Sequence, residues 1–163
     1  MAFVRALCFV LLVGFAAALQ PYCSSCPPKC PPMWTFYNGN CYRYFGTANT
    51  YAAAESHCQE FTQAGHYGHL TSVASFQENT FIHRMWKSLR KTFTGGLWIG
   101  FTDQAEEGKF IWTDGSEVTY DDWLPFQPGD FGHHTDCTHM WHNGEWLDNV
   151  CHIKYSYMCT MST

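Results

Sequence analysis

Between Thr113 and Cys137 the chain runs through Gly, Pro and Asp residues with little regular patterning, including Gln127, Asp130 and Asp136. A loop that long inside a compact domain is usually functional. Side chains of this kind offer oxygen donors, and Ca²⁺ asks for about six to eight of them, mostly carboxylate and amide. The chain also holds nine histidines, of which His133, His134, His139 and His142 fall in or beside this loop. With Gln127 and Asp148 they form a nitrogen-rich set of the kind that suits Zn²⁺ or Cu²⁺ better than Ca²⁺. Histidines in such places are more often solvated, so a transition metal is not expected. Catalysis is not expected either. There is no nucleophile elbow, zinc-protease helix or paired-carboxylate motif, and no residue is assigned a catalytic role.

The cysteines point to an oxidising compartment. Arg5 precedes an apolar run from Ala6 to Ala18 that closes on Ala16-Ala17-Ala18, the small-residue pattern of a signal-peptidase site. Residues 1–18 therefore read as a signal peptide and the mature protein as secreted. The run of about thirteen apolar residues is too short to span a bilayer, and no second run follows, so no membrane partner is expected. Cys8 leaves with the leader, and an even set of cysteines remains, which in a secreted chain reads as disulfides. The formal net charge of -5 argues against nucleic acid. The one basic cluster, Lys87, Arg90 and Lys91, reads as the solvated face of a helix.

Residues 19–32 form a Pro- and Cys-rich segment with Pro21, Pro27, Pro28, Pro31 and Pro32, a composition that favours extended polyproline chain without its own core. Cys23 and Cys26 in it either bond each other or reach a second chain and make a disulfide-linked homo-oligomer. From Trp34 onward, Asn38-Gly39 beside Tyr42, Tyr44 and Phe45 suits a short hairpin. Tyr51, Ala54, Cys58 and Phe61 recur at helical steps. Ser75 and Glu78 make a capping box ahead of a stripe of Ile82, Met85, Trp86 and Leu89, and Gly95-Gly96 ends that helix. Short strands follow over 97–101, 109–112, 136–141, 145–147 and 155–159, with Asn143-Gly144 as a type I′ turn between two of them. Trp98, Trp112 and Trp146 are expected in the core, while Trp123 and Trp141 are left open.

The series Leu97-Trp98-Ile99-Gly100, Trp112-Thr113-Asp114-Gly115, Trp123, Gln127-Pro128-Gly129, Cys137, Trp146-Leu147-Asp148, Cys151 and Cys159 resembles the C-type lectin domain. The resemblance covers residues 30 to 159. The wording of Cys30 to Phe45 and Gly95 to Gly100 is similar to that of the secreted echinoderm lectins. It implies an α+β fold over residues 30–163, with two helices on small antiparallel sheets, a long irregular binding loop and disulfide staples. The pairs implied are Cys30–Cys41, Cys58–Cys159 and Cys137–Cys151. The implied function is carbohydrate binding, with glycans or glycoproteins as partners and galactose- or N-acetylgalactosamine-type sugars as ligands.

In that family a principal Ca²⁺ site touches the sugar, and its ligand positions fall here on Gln127, Gly129, Thr135, Leu147 and Asp148. Only Gln127 and Asp148 carry the usual side-chain oxygens, so this site is expected to hold Ca²⁺ weakly or not at all. The auxiliary positions fall on Asp103, Glu107, Asp130 and Asp136, all acids, with the Thr135 carbonyl as a fifth donor; structural Ca²⁺ is the expectation there. The alternative is that Asp103 and Glu107 lie on a solvated turn. Phe131 stands where galactose-binding members put a ring against the sugar, so Gln127, Phe131 and Asp148 are the expected carbohydrate contacts. Phe131 packing on Trp123 is the alternative. The rival to a lectin is a Ca²⁺-independent protein-binding or structural module of the same fold.

Overall fold

The computed structural model describes residues 29–90, 95–129 and 134–163. The leader, Cys23, Cys26, Lys91, Asp130, Phe131 and His133 lie outside the described residues. In chain order the elements are β1 Thr35–Tyr37, β2 Asn40–Asn49, α1 Tyr51–Cys58, β3 Thr62–Gln63, β4 His66–Tyr67, β5 His69–Leu70, α2 Phe76–Leu89, β6 Leu97–Thr102, β7 Ile111–Trp112, β8 Cys137–Met140, β9 Trp146–Asn149 and β10 Tyr155–Ser162.

The main sheet has the order β1-β2-β10-β6-β8-β9, with β5 added to β10 and β7 to β6. Pairing is antiparallel except between β10 and β6, where Ser156 lies opposite Leu97 and Tyr157 opposite Trp98 in parallel. Those two strands come from distant parts of the chain, so no hairpin dictates their sense.

The middle strand explains the layering. Successive side chains of a strand point to opposite faces. In β6, Leu97, Ile99 and Phe101 join one core with Val73, Ile82, Trp86, Trp112, Met140, Trp146 and Met158. Trp98 joins the other, with Tyr51, Ala54, Cys58, Leu70 and Tyr157. Helix α2 thus covers one face and α1 the other. Gly100 sits where β6 passes β5: a Cβ there would meet the Leu70 carbonyl oxygen at 2.5 Å.

The capping box is half formed. Ser75 caps α2 by accepting from the Glu78 N–H at 3.3 Å. The Glu78 carboxylate, instead of returning to the cap, accepts from the Ala74 N–H at 2.8 Å and from the Tyr42 hydroxyl. Burial of Glu78 against β2 directs it to that phenol. Ile82 and Trp86 are buried as the stripe requires, but Leu89 is 51% exposed, so the buried face stops a turn early. Helix α1 ends at Cys58, leaving Phe61 beyond it, where it packs on Trp34 and Phe45.

Trp98, Trp112 and Trp146 are buried as expected. Asn38 and Gly39 both have positive φ, as a type I′ turn demands. At Asn143-Gly144 only Gly144 does. There the Gly144 N–H donates to Trp141 O and the Trp141 N–H to Glu145 O, so the hairpin closes with a longer loop and a left-handed glycine. The Asn143 Oδ1 accepts from the Glu145 N–H at 3.1 Å, which holds Asn143 out of the type I′ geometry.

Three disulfides are formed, Cys30–Cys41, Cys58–Cys159 and Cys137–Cys151, the pairs that the resemblance implies. The second ties α1 to β10 and closes a separation of 101 residues.

Candidate functional site

The loop after β7 reaches β9 through backbone bonds. The Trp146 N–H donates to Asp122 O at 2.7 Å, and the Leu124 N–H donates to Trp146 O at 2.9 Å. Trp123 is half-buried, with its ring 4.9 Å from Phe110 and 5.8 Å from Phe101, so it anchors the loop rather than facing solvent. The Gln127 N–H then donates to Leu124 O at 2.9 Å, making a turn that ends at the cis peptide between Gln127 and Pro128. The sequence carried no sign of that isomer beyond the proline itself.

Strand β9 presents Asp148 to this loop. Asp148 lies opposite Thr138 in the β8–β9 ladder, which the Cys137–Cys151 disulfide closes. The residue is 9% exposed. The Gly129 N–H donates to both carboxylate oxygens at 3.0 Å, and the Thr135 hydroxyl donates to Oδ2 at 2.7 Å. Gln127 adds a buried Oε1 with no hydrogen-bond partner among the described residues.

Gln127, Gly129, Thr135 and Asp148 are therefore brought together, but not as a cation shell. Gly129 and Thr135 aim an N–H and an O–H at the Asp148 carboxylate, so positive dipole ends occupy the side where an ion would need oxygens. Leu147, opposite His139 on β8, brings no oxygen side chain. These residues do not fit Ca²⁺ at the principal position.

The auxiliary position differs. Asp103 follows β6 and is 4% exposed. Its N–H donates to Asp136 O at 3.2 Å, and the Thr102 hydroxyl donates to the same carbonyl at 2.6 Å, which sets the two acids side by side. Asp103 Oδ2 accepts from the Gly108 N–H at 2.9 Å, and Oδ1 is buried without a partner among the described residues. Burial raises its pKa, and the charges of Asp136 and Asp148 raise it further. A buried carboxylate oxygen left unpaired among like charges is the chemistry a cation relieves. Glu107 is exposed on the turn after Asp103. Among the described residues no three His, Cys, Asp or Glu side chains converge to hold a metal, so Asp103 and Asp136 make a partial set.

Among the described residues the histidines do not assemble a nitrogen-rich site. His139 is 2% exposed, its ring 4.9 Å from Tyr155 and 5.8 Å from Trp98. This corrects the expectation of a solvated strand histidine. All four residues of β8 are buried, so both faces of the strand are covered. Burial pushes the His139 pKa down to about 4, against a smaller upward pull from Asp148. His142 accepts at its carbonyl from the His83 ring at 2.9 Å, and His134 is exposed. The ring of Trp141, the other tryptophan left open, lies 5.9 Å from that of His139.

Known proteins share this fold and much of this sequence. The chain is 64% identical to the "alpha-N-acetylgalactosamine-specific lectin" of Patiria pectinifera over 168 aligned residues, covering 100% of this chain and 99% of that protein. It is 34% identical to echinoidin of Heliocidaris crassispina, covering 79% of this chain and 93% of echinoidin. The crystal structure of the C-type lectin CEL-I from Cucumaria echinata superposes with a TM-score of 0.78 at 34% identity, covering 82% of this chain and 97% of that one. No helix among the described residues is long and apolar enough to cross a membrane. Residues 47–161 match the lectin C-type domain, and with relatives this similar over most of its length the chain belongs to the C-type lectin domain family.

Proposed function

We propose that this chain is a secreted lectin that binds galactose-type glycans, with N-acetylgalactosamine as the favoured sugar. Full-length identity of 64% to a lectin named for α-N-acetylgalactosamine carries this reading. In it residues 30–163 are the recognition domain, behind a leader over residues 1–18 and a Pro/Cys-rich segment over residues 19–32. Recognition is non-catalytic and centres on the turn of Gln127, whose buried Oε1 lacks a partner among the described residues, with Asp148 as the loop's internal anchor. Phe131 belongs to the same loop. Ca²⁺ serves as a brace at Asp103 and Asp136, with Glu107 and Asp130 completing its oxygens, and does not touch the sugar.

A second reading follows from Asp148, whose carboxylate already accepts from Gly129 and Thr135. A loop closed by its own donors also suits a Ca²⁺-independent module that binds protein. A glycan array probed in Ca²⁺ and again in chelator separates the two, with Gln127→Ala as the site control. Binding to galactose-type glycans that Gln127→Ala weakens supports the lectin, and silence on every glycan in both conditions abandons it. A gel run with and without reductant reads whether Cys23 and Cys26 link two chains.

A further inference from the structure

Helix α2 carries a lateral stripe that the core does not use. Gln77, Thr80, Phe81, Arg84, Met85 and Ser88 recur at three- and four-residue steps, so they share one side of the helix, next to the buried line of Ile82 and Trp86. Across from them stand Thr35 and Tyr37, alternate residues of β1 and therefore on one face of that strand. The two rows enclose a groove of about 610 Å³, a size typical of small-ligand sites. Strand β1 ends the sheet, so no further strand among the described residues closes the groove.

The floor is apolar and fixed. The Tyr37 and Phe81 rings stack at 4.1 Å with their planes 6° apart, and Met85 is half-buried along the same wall. The rim is polar: Thr35, Gln77, Thr80 and Ser88 bring hydroxyl and amide groups that both donate and accept. None of the lining residues is acidic.

Arg84 gives the groove its sign. It is exposed and stands in no ion pair among the described residues. The neighbouring cations have structural roles: Lys87 lies in the last turn, where the helix dipole favours positive charge, and the Arg90 guanidinium rests over the Trp86 ring at 4.9 Å. Arg84 has neither role, and it points its charge into a groove without acids in a chain of formal net charge -5. A guanidinium offers a planar fork of donors that matches two oxygens of a carboxylate or of a tetrahedral oxyanion. The hydroxyl and amide rim matches a ligand dense in hydroxyls better than it matches an acidic peptide.

We propose that this groove binds an acidic saccharide, its sulfate or carboxylate held by Arg84 and its hydroxyls by Thr35, Gln77 and Thr80. The site shares no residue with the Gln127 turn, needs no Ca²⁺ and stands whether or not the galactose-type reading does.

The test titrates the secreted full-length protein in chelator by calorimetry, with thermal melts of the same samples. The titrants are a sulfated galactose hexasaccharide, the neutral chain of the same backbone, a galacturonate hexasaccharide and hexaglutamate. The sulfated or the uronic chain binds at least about tenfold more tightly than the neutral one, less so as salt rises, and the tighter of the two names the anion that Arg84 receives. Arg84→Gln lowers that affinity about tenfold, as does Gln77→Glu, which sets a carboxylate on the rim, both at the wild-type melting temperature. Lys154→Gln, which removes an exposed cation outside the groove, stays within about twofold of wild type. Silence towards both acidic chains, an equal loss in Lys154→Gln, or hexaglutamate bound as tightly as the acidic saccharide overturns the proposal.

Discussion

Acid should loosen this domain through His139. The imidazole lies in β8 between the rings of Trp98, Tyr155 and Trp141, and its pKa falls from 6.5 to about 4 on folding, chiefly through burial. Between those two values the unfolded chain binds a proton that the folded one refuses. Stability is therefore complete above pH 6.5 and is lost as pH falls towards 4. At about 1.4 kcal/mol per unit, the full loss is about 3 kcal/mol, with about 2 kcal/mol gone by pH 5. Against a typical domain stability of about 5 to 15 kcal/mol this is a large share. Urea unfolding of wild type and His139→Phe at a series of pH values measures it, and the variant should lose most of the slope between pH 7 and 5. An NMR titration of the wild-type imidazole checks the same claim without relying on the variant's fold. An imidazole that titrates near 6.5, or a variant with the wild-type slope, refutes the reasoning.

Two further outcomes are expected. In chelator, Asp103→Asn should melt at or above the wild-type temperature, because burial and the charges of Asp136 and Asp148 disfavour ionised Asp103. Ca²⁺ at a hundredfold excess over its Kd should add about 2.7 kcal/mol to wild type and little to the variant, and an equal gain in both would place the ion elsewhere. Replacing Cys58 and Cys159 by serine removes the link across a separation of 101 residues and should cost about 4 to 5 kcal/mol in denaturant unfolding. A loss under about 1 kcal/mol would show that the unfolded chain is constrained by other means.

Much of the frame was legible because its signals are local or compositional. Ser75 before a helical stripe, Asn38-Gly39 between aromatic strands, and three tryptophans in strand patterns each state a backbone or burial preference within a few residues. The expectation failed where a partner came from elsewhere. Glu78 was to close the capping box and instead meets Tyr42 of β2. Asn143-Gly144 was to be a type I′ turn, and the Asn143 side chain bound the chain in another way.

The sequence by itself determined the family, the core and a donor inventory poor at the principal position and rich at the auxiliary one, since side-chain chemistry and spacing are one-dimensional facts. Tertiary structure decided how those donors are used. It turned the Gly129 N–H and the Thr135 hydroxyl onto Asp148, left oxygens of Asp103 and Gln127 without a partner among the described residues, and sank His139 into the core. The reason is that a hydrogen bond or a burial cost belongs to a pair of groups in space, and these pairs join residues that lie far apart along the chain.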